Sequence, residues 1–135
     1  MTEEKKETIA RDDSRAIAET IIRTLDFKRA RDLKLLRVEE KTTLADYYVF
    51  ATGGSRTQIL ALAGEVEDKL EERGVPVGHI EGRGSGEWVL MDYGSVAVHI
   101  FSREGREFYN LEKLWSDCET VPIDALLVKE TEEER

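Results

Sequence analysis

The residues of this chain that could carry out chemistry are few and scattered. Gly53–Ser55 joins an apolar segment to a helical pattern, and such a turn can hold a phosphate through free backbone N–H groups. A nucleotidyltransferase needs this kind of turn together with two carboxylates on a nearby strand, which hold two metal ions. The carboxylates available are Glu81 and Asp92, and no Asp-x-Asp pair follows the turn. A nucleotide-binding enzyme using these residues is the alternative hypothesis, while helix capping by Ser55 explains the turn more simply.

Histidine and cysteine offer little more. His99 lies inside the apolar run Val96–Phe101, which is typical of a packed or hydrogen-bonded structural histidine. His79 and Glu81 are two residues apart, so they should face the same side of a strand. One cysteine and two histidines do not support a zinc site, and the acidic neighbours of Cys118 oppose thiolate formation. The sequence therefore predicts no catalytic residue, no metal and no cofactor.

Size and composition favour one soluble domain. A chain of 135 residues is long enough to bury a core without metals or disulfides. No apolar run approaches the roughly 20 residues of a membrane helix, so no membrane association is expected. The polar N-terminal sequence lacks the apolar region of a secretory signal, and Cys118 is the only cysteine. The expected location is the cytoplasm.

The placement of the charge is more informative than the net charge of -9. Residues 1–40 hold ten basic and ten acidic side chains, so all the excess negative charge lies from Lys41 onward. Such a surface repels phosphate backbones, so broad nucleic-acid binding by the main domain is disfavoured and no direct sequence-specific binding is expected. The same charge attracts a basic protein surface. The basic side chains that do cluster could contact an RNA backbone, but solvated charges around a helix–strand turn explain them better. They are Lys28, Arg29, Arg31, Lys34 and Arg37.

The elements that position these residues follow from hydrophobic periodicity. One helix begins near Asp12, Asp13 or Ser14, and a second begins at Ser55 and ends at Gly74. A short helical segment is expected at 106–116. The expected strands are 32–39, with a bulge or an edge position to explain its shifted alternation, 46–52 at the sheet centre, 77–81, 88–91 and 96–101. The last two are expected to form a hairpin through the turn 92–95.

This order of elements predicts an α+β (α/β-like) fold in a single domain, with a mixed β-sheet and flanking helices. The domain is expected to span residues 12–118. Residues 1–11 are predicted to be a flexible N-terminal tail and residues 119–135 an acidic C-terminal tail.

The strand that begins at Trp88 holds the best candidates for binding. Alternation along the strand puts Trp88, Leu90 and Asp92 on one face, and Val89 and Met91 on the other. Two buried faces would account for most of these residues. Trp88 follows a glycine-rich loop and fits a core position or an interface hot spot equally well. A later aromatic segment is predicted to close the core from outside or to serve a dimer; its apolar residues are Phe108, Tyr109, Leu111, Leu114 and Trp115.

An ordered set of motifs resembles the ribosomal silencing factor S family, also called Iojap-like. The motifs are Ala45–Gly53, Ser55-Arg56, Glu81-Gly82, Trp88–Gly94, Val98–Phe101 and Tyr109–Trp115. The resemblance covers roughly residues 12–118. It implies a nucleotidyltransferase-like mixed sheet without that fold's catalytic carboxylates, which agrees with the missing Asp-x-Asp pair.

The resemblance also implies a function without turnover or cofactor. Family members bind the large ribosomal subunit through the fourteenth protein of its L series, at the face where the small subunit docks. They thereby block subunit joining and repress translation when nutrients are short, and many are homodimers. Their binding surface uses the strand that begins with the tryptophan matching Trp88. The resemblance extends this role to Val89, Leu90, Met91 and Asp92.

Overall fold

The apolar strand that contains Val49 and Phe50 lies at the centre of a six-stranded sheet. A computed structural model describes residues 7–127 of the chain. In chain order the elements are helix α1 (Ser14–Phe27), strands β1 (Arg31–Arg37) and β2 (Tyr47–Gly53), helix α2 (Arg56–Glu72), strands β3 (His79–Glu81), β4 (Trp88–Asp92) and β5 (Val96–Ser102), helices α3 (Arg103–Tyr109) and α4 (Leu111–Leu114), and strand β6 (Glu119–Thr120). A 3-10 turn, Asp124–Leu126, follows.

The sheet is mixed, as the sequence predicts. Its strand order is β3-β4-β5-β2-β1-β6, in which β2 and β5 are parallel and every other pair is antiparallel. The register of β1 with β2 shifts between Arg31 and Lys34, which is earlier than the altered alternation at Leu36 and Val38 that suggested a bulge. From Lys34 to Arg37 the pairing is regular, and Leu35 and Leu36 are both buried because both faces of the sheet are covered there. These features confirm the predicted α+β single domain.

Local capping chemistry explains where the two long helices begin and end. The Asp13 side chain accepts a hydrogen bond from the Ala16 backbone N–H at 3.1 Å, and Ser55 Oγ accepts one from Gln58 at 3.1 Å. After α2, Gly74 adopts a left-handed backbone with φ of 85°, as expected for the residue that ends a helix. Within residues 7–127, no helix is both long enough and apolar enough to cross a membrane.

The main core lies between the sheet and helices α1 and α2. Both helices turn one apolar stripe toward the strands, and the facing strand residues are fully or nearly fully buried. We call this side of the sheet the helix-covered face. Its strand residues are Leu35, Tyr47, Val49, Ala51, Val89, Met91, Val96, Val98 and Ile100.

The opposite side of the sheet carries a smaller, ring-rich cluster. We call it the aromatic face, and its ring residues on the strands are Tyr48, Phe50, Trp88, His99 and Phe101. Helix α3 packs across β5 and β2 on this side. Leu111 and Trp115 pack against the same cluster. The two short helices are separated at Asn110, whose φ of 47° is left-handed. The helical segment thus begins at Arg103, three residues before the predicted start, and is broken in the middle.

Packed structure extends beyond both ends of the predicted domain. Ile9 is only 5% exposed, and its N–H donates to the Arg73 carbonyl at 2.8 Å, so the predicted N-terminal tail packs on the domain from this point. Glu119 and Thr120 form β6 beside β1, and Val121 is buried. These apolar side chains anchor segments that look like tails by composition alone. The acidic run at 129–135 lies outside the described residues.

Candidate interaction surface on the aromatic face

Strand β4 divides its five side chains between the two faces of the sheet. Trp88 and Leu90 are partly exposed and Asp92 is exposed on the aromatic face. Val89 and Met91 are 0% exposed on the helix-covered face. Because β4 also pairs with β3 and β5 on its two edges, its backbone is not free either. The prediction that all five residues form one binding surface is therefore wrong for Val89 and Met91, which belong to the main core.

Trp88 packs against the aromatic cluster and is still partly exposed. Its indole Nε1–H donates to His99 Nδ1 at 3.2 Å. The ring centroid lies 5.2 Å from that of Phe101 and 4.9 Å from that of Tyr109. Gly82, with φ of 91°, allows the preceding loop to approach the Trp88 carbonyl so closely that a Cβ would lie 2.0 Å from that oxygen. The indole is thus held on three sides and still reaches the surface.

The exposed end of this face is acidic. Asp92 stands opposite His79, and Leu90 stands opposite Glu81, so these four side chains share one side of the sheet. His79 Nε2 and Glu81 Oε2 are 2.8 Å apart, which confirms that the two residues face the same way. Asp92 Oδ1 also accepts a hydrogen bond from the Gly94 N–H at 2.7 Å and thereby shapes the hairpin turn. An apolar strip, Trp88 and Leu90, is therefore bordered by carboxylates.

His99 is a buried structural histidine, as the sequence predicts. It is 5% exposed and stacks on Phe50, with centroids 5.1 Å apart and planes at 17°. Because burial disfavours the charged ring, the pKa of His99 falls from 6.5 to about 4. The ring is therefore neutral at physiological pH, and its Nδ1 is free to accept the Trp88 N–H.

This depressed pKa predicts a loss of stability in mild acid. Between pH 6.5 and about 4 the unfolded chain binds a proton at His99 and the folded protein does not, so stability falls as the pH falls. We expect the free energy of unfolding, from urea titrations, to drop by about 2 kcal/mol more between pH 7 and pH 5 in the wild type than in His99→Asn. Equal drops in the two proteins would contradict the assignment.

An arginine clamp that the sequence did not reveal holds α3 and α4 beside the aromatic face. Arg106 donates from Nε and Nη2 to the two carboxylate oxygens of Glu112, at 2.9 and 3.2 Å. Its Nη1 also donates to the Asp32 carbonyl at 2.7 Å and to Thr52 Oγ1 at 2.8 Å. This pairing holds the pKa of Glu112 below its usual value, and Lys34 contributes from 3.3 Å. The six-residue spacing across the break at Asn110 matches no simple helical pairing rule, which is why it was missed.

The structure does not assemble the nucleotide site of the alternative hypothesis. Gly53 ends β2, while Asp92 is level with Tyr48, which lies five residues, about 17 Å, back along the strand direction, and Asp92 is two strands to the side. Glu81 lies three strands from β2. At the turn itself, the Gly54 N–H donates to Gln58 Oε1 at 2.5 Å, so a side chain already occupies a donor that a phosphate would need.

A concavity of about 490 Å³ does lie beside Gly53, but its carboxylates are not Glu81 and Asp92. Its polar and charged lining is Arg31, Asp32, Thr52, Ser102, Arg103 and Glu104. Within residues 7–127 no three His, Cys, Asp or Glu side chains come close enough together to hold a metal ion.

Three of the five side chains in the basic cluster lie beside glutamates. Lys34 pairs with Glu112 at 3.3 Å, and Arg37 pairs with Glu119 at 3.3 Å. Lys28 lies 4.0 Å from Glu65. This arrangement fits the interpretation of the cluster as solvated charges. The charges beside the exposed strip are the carboxylates of Glu81 on β3 and Asp92 on β4.

Comparison with known proteins agrees with the motif resemblance. The family described as "Ribosomal silencing factor during starvation" matches residues 11–135. The ribosomal silencing factor of Bacillus subtilis (strain 168) is 41% identical over 99 residues, which cover 73% of this chain and 84% of that protein. A mouse relative named "Mitochondrial assembly of ribosomal large subunit protein 1" is 30% identical over 121 residues, covering 79% of this chain and 53% of that protein.

Solved structures show the same fold. A crystal structure of a protein from Chromobacterium violaceum superposes with a TM-score of 0.75 at 38% identity, covering 77% of this chain and 87% of that one. A Bacillus halodurans structure gives 0.71 at 31% identity, covering 80% of this chain and 98% of that one. With the match over residues 11–135 and these relatives, the chain belongs to the ribosomal silencing factor family.

Proposed function

We propose that this protein is a non-enzymatic repressor of translation that binds the large ribosomal subunit. Its partner there is the fourteenth protein of the large-subunit L series, at the surface on which the small subunit docks. Bound protein occupies that surface, prevents subunit joining and represses translation when nutrients are short. Family membership supports this proposal, as does the mouse relative named for assembly of the mitochondrial large ribosomal subunit.

The observation that carries the proposal is the exposure of the β4 strip. Trp88 and Leu90 stay partly exposed on a sheet face whose other rings are packed together, and the acidic Asp92 and Glu81 lie beside them. A rigid aromatic–aliphatic strip supplies binding energy, and carboxylates around it steer a basic protein into place. Trp88, Leu90 and Asp92 are thus the proposed contact residues, and the mechanism is steric and needs no cofactor.

The proposal includes a homodimer located in the cytoplasm. The apolar segment of α3 and α4 divides into two groups in the structure: Leu111 and Trp115 pack on the aromatic cluster, while Phe108 and Leu114 are 80% and 69% exposed. The exposed pair is available to a second copy of the chain.

Sedimentation with separated ribosomal subunits tests the proposal. We expect the protein to migrate with the large subunit on a sucrose gradient, to be absent from the small-subunit peak, and to lower the yield of joined ribosomes when small subunits are added. Binding should weaken as salt rises, because the steering charges are exposed. A folded protein that migrates with neither subunit would overturn the proposal.

A further inference from the structure

The hydrogen bond between Trp88 and His99 defines the chemical state of the histidine. The indole N–H can only donate, so Nδ1 of His99 must be the accepting nitrogen at 3.2 Å. In a neutral imidazole the proton then lies on Nε2. That nitrogen is buried and has no hydrogen-bond partner within the described part of the chain. His99 therefore tolerates an unsatisfied donor while its other nitrogen orients the tryptophan, an arrangement that a purely packing role would not require.

His99 is itself held firmly in one orientation. Its ring stacks on Phe50 at 5.1 Å, and Tyr48 meets it edge-on, with centroids 5.1 Å apart and planes at 75°. Both partners sit on β2, at the centre of the sheet. Contacts with β2 thus fix the position and direction of Nδ1 of His99. The hydrogen bond to Nδ1 in turn restrains the orientation of the Trp88 indole, which is partly exposed.

Packing alone leaves the indole less defined. Phe101 lies under the Trp88 ring, but Tyr109, its other neighbour, is 44% exposed and sits at the end of the short helix α3. A ring held between one buried and one exposed aromatic can tilt. The directional bond from Nε1 to Nδ1 restricts that tilt.

We propose that His99 is a positioning residue for partner binding, which fixes the Trp88 indole in the orientation that docks on the large subunit. This inference rests on the proposed function and deepens it, because it names the group that pre-organises the contact surface. A side chain held in its bound orientation loses less conformational entropy on association. The required property of residue 99 is an acceptor at the Nδ1 position, which the Oδ1 of asparagine can supply and leucine cannot.

A double-mutant cycle tests this role. We expect His99→Leu to weaken large-subunit binding about five- to tenfold, as for one lost hydrogen bond, and His99→Asn to recover most of the affinity. In a Trp88→Phe background, which keeps an aromatic ring and removes the N–H, His99→Leu should add no further loss. Affinities are compared per folded molecule, after urea titration of each variant.

Hydrogen exchange of the indole N–H gives a readout that does not depend on the ribosome. In ¹⁵N spectra of the free protein, His99→Leu should speed exchange of the Trp88 indole proton at least tenfold, while Trp115, the other tryptophan of the chain, serves as the internal reference. Failure of the wild type to bind either subunit would refute the proposed function, and the exchange measurement would still test the orientation of Trp88. Unchanged exchange, or an equal loss of affinity from His99→Leu in both backgrounds, would overturn the positioning role.

Discussion

Leu90→Asp is expected to abolish binding to the large ribosomal subunit while leaving the protein folded. Leu90 is partly exposed in the middle of the proposed contact strip, between Trp88 and Asp92. A carboxylate at this position would have to be desolvated in the complex without a designed partner. We expect at least a hundredfold loss of affinity on sucrose gradients or by fluorescence anisotropy, about 3 kcal/mol.

Phe27→Asp is the matched control for this variant. Phe27 is 67% exposed at the end of α1, on the side of the sheet opposite to Leu90, so the same change in charge and polarity should leave binding at the wild-type level. Equal affinities for the Leu90→Asp and wild-type proteins would refute the assignment of this surface. Equal losses in both variants would show that added negative charge, and not the strip, is responsible.

Trp88→Ala is a less direct test than the sequence suggests. It removes the partly exposed side chain, but it also removes the contacts with Phe101 and Tyr109 and leaves His99 Nδ1 without its donor. Loss of binding in this variant is expected and has two causes. Leu90→Asp tests the contact surface without removing any ring contact, because Leu90 lies outside the stacked cluster.

Arg106→Ala is expected to destabilise the fold strongly although it removes no apolar core side chain. The Arg106 side chain is 14% exposed, and its guanidinium makes four hydrogen bonds, which join α3 to α4, β1 and β2. Truncation leaves the Glu112 carboxylate half-buried and without its bidentate partner. We expect the free energy of unfolding, from urea titration, to fall by about 3 kcal/mol.

Two further variants make the Arg106 result specific. Arg103→Ala removes a neighbouring arginine that is exposed on the same helix, and its cost should stay within about 0.5 kcal/mol. Arg106→Lys keeps the charge but lacks the planar guanidinium, so its loss of unfolding free energy should lie between those of Arg106→Ala and Arg103→Ala. If Arg106→Ala cost no more than Arg103→Ala, the clamp would not contribute to stability.

Local pattern was sufficient to predict most of the elements. Apolar spacing and capping residues depend only on neighbours along the chain, so α1, α2 and the central strand were predicted. Ser55 was predicted as the cap of α2, and Asp13 was one of three candidates for the cap of α1. The predicted domain boundaries at residues 12 and 118 left out Ile9 and Glu119–Thr120. These residues are held by Arg73 and by β1, which are distant in sequence and lie outside any local window.

What the sequence by itself determined about the site is the alternation of β4. Period-two geometry assigns Trp88, Leu90 and Asp92 to one face and Val89 and Met91 to the other, whatever the rest of the fold does. Which of these faces is buried depends on where the helices pack. Only the tertiary structure decided that α1 and α2 cover the face of Val89 and Met91 and that α3 covers only part of the other. It also brought Arg106 to Asp32 and Thr52, which are 74 and 54 residues away along the chain, because such contacts depend on chain topology and not on local spacing.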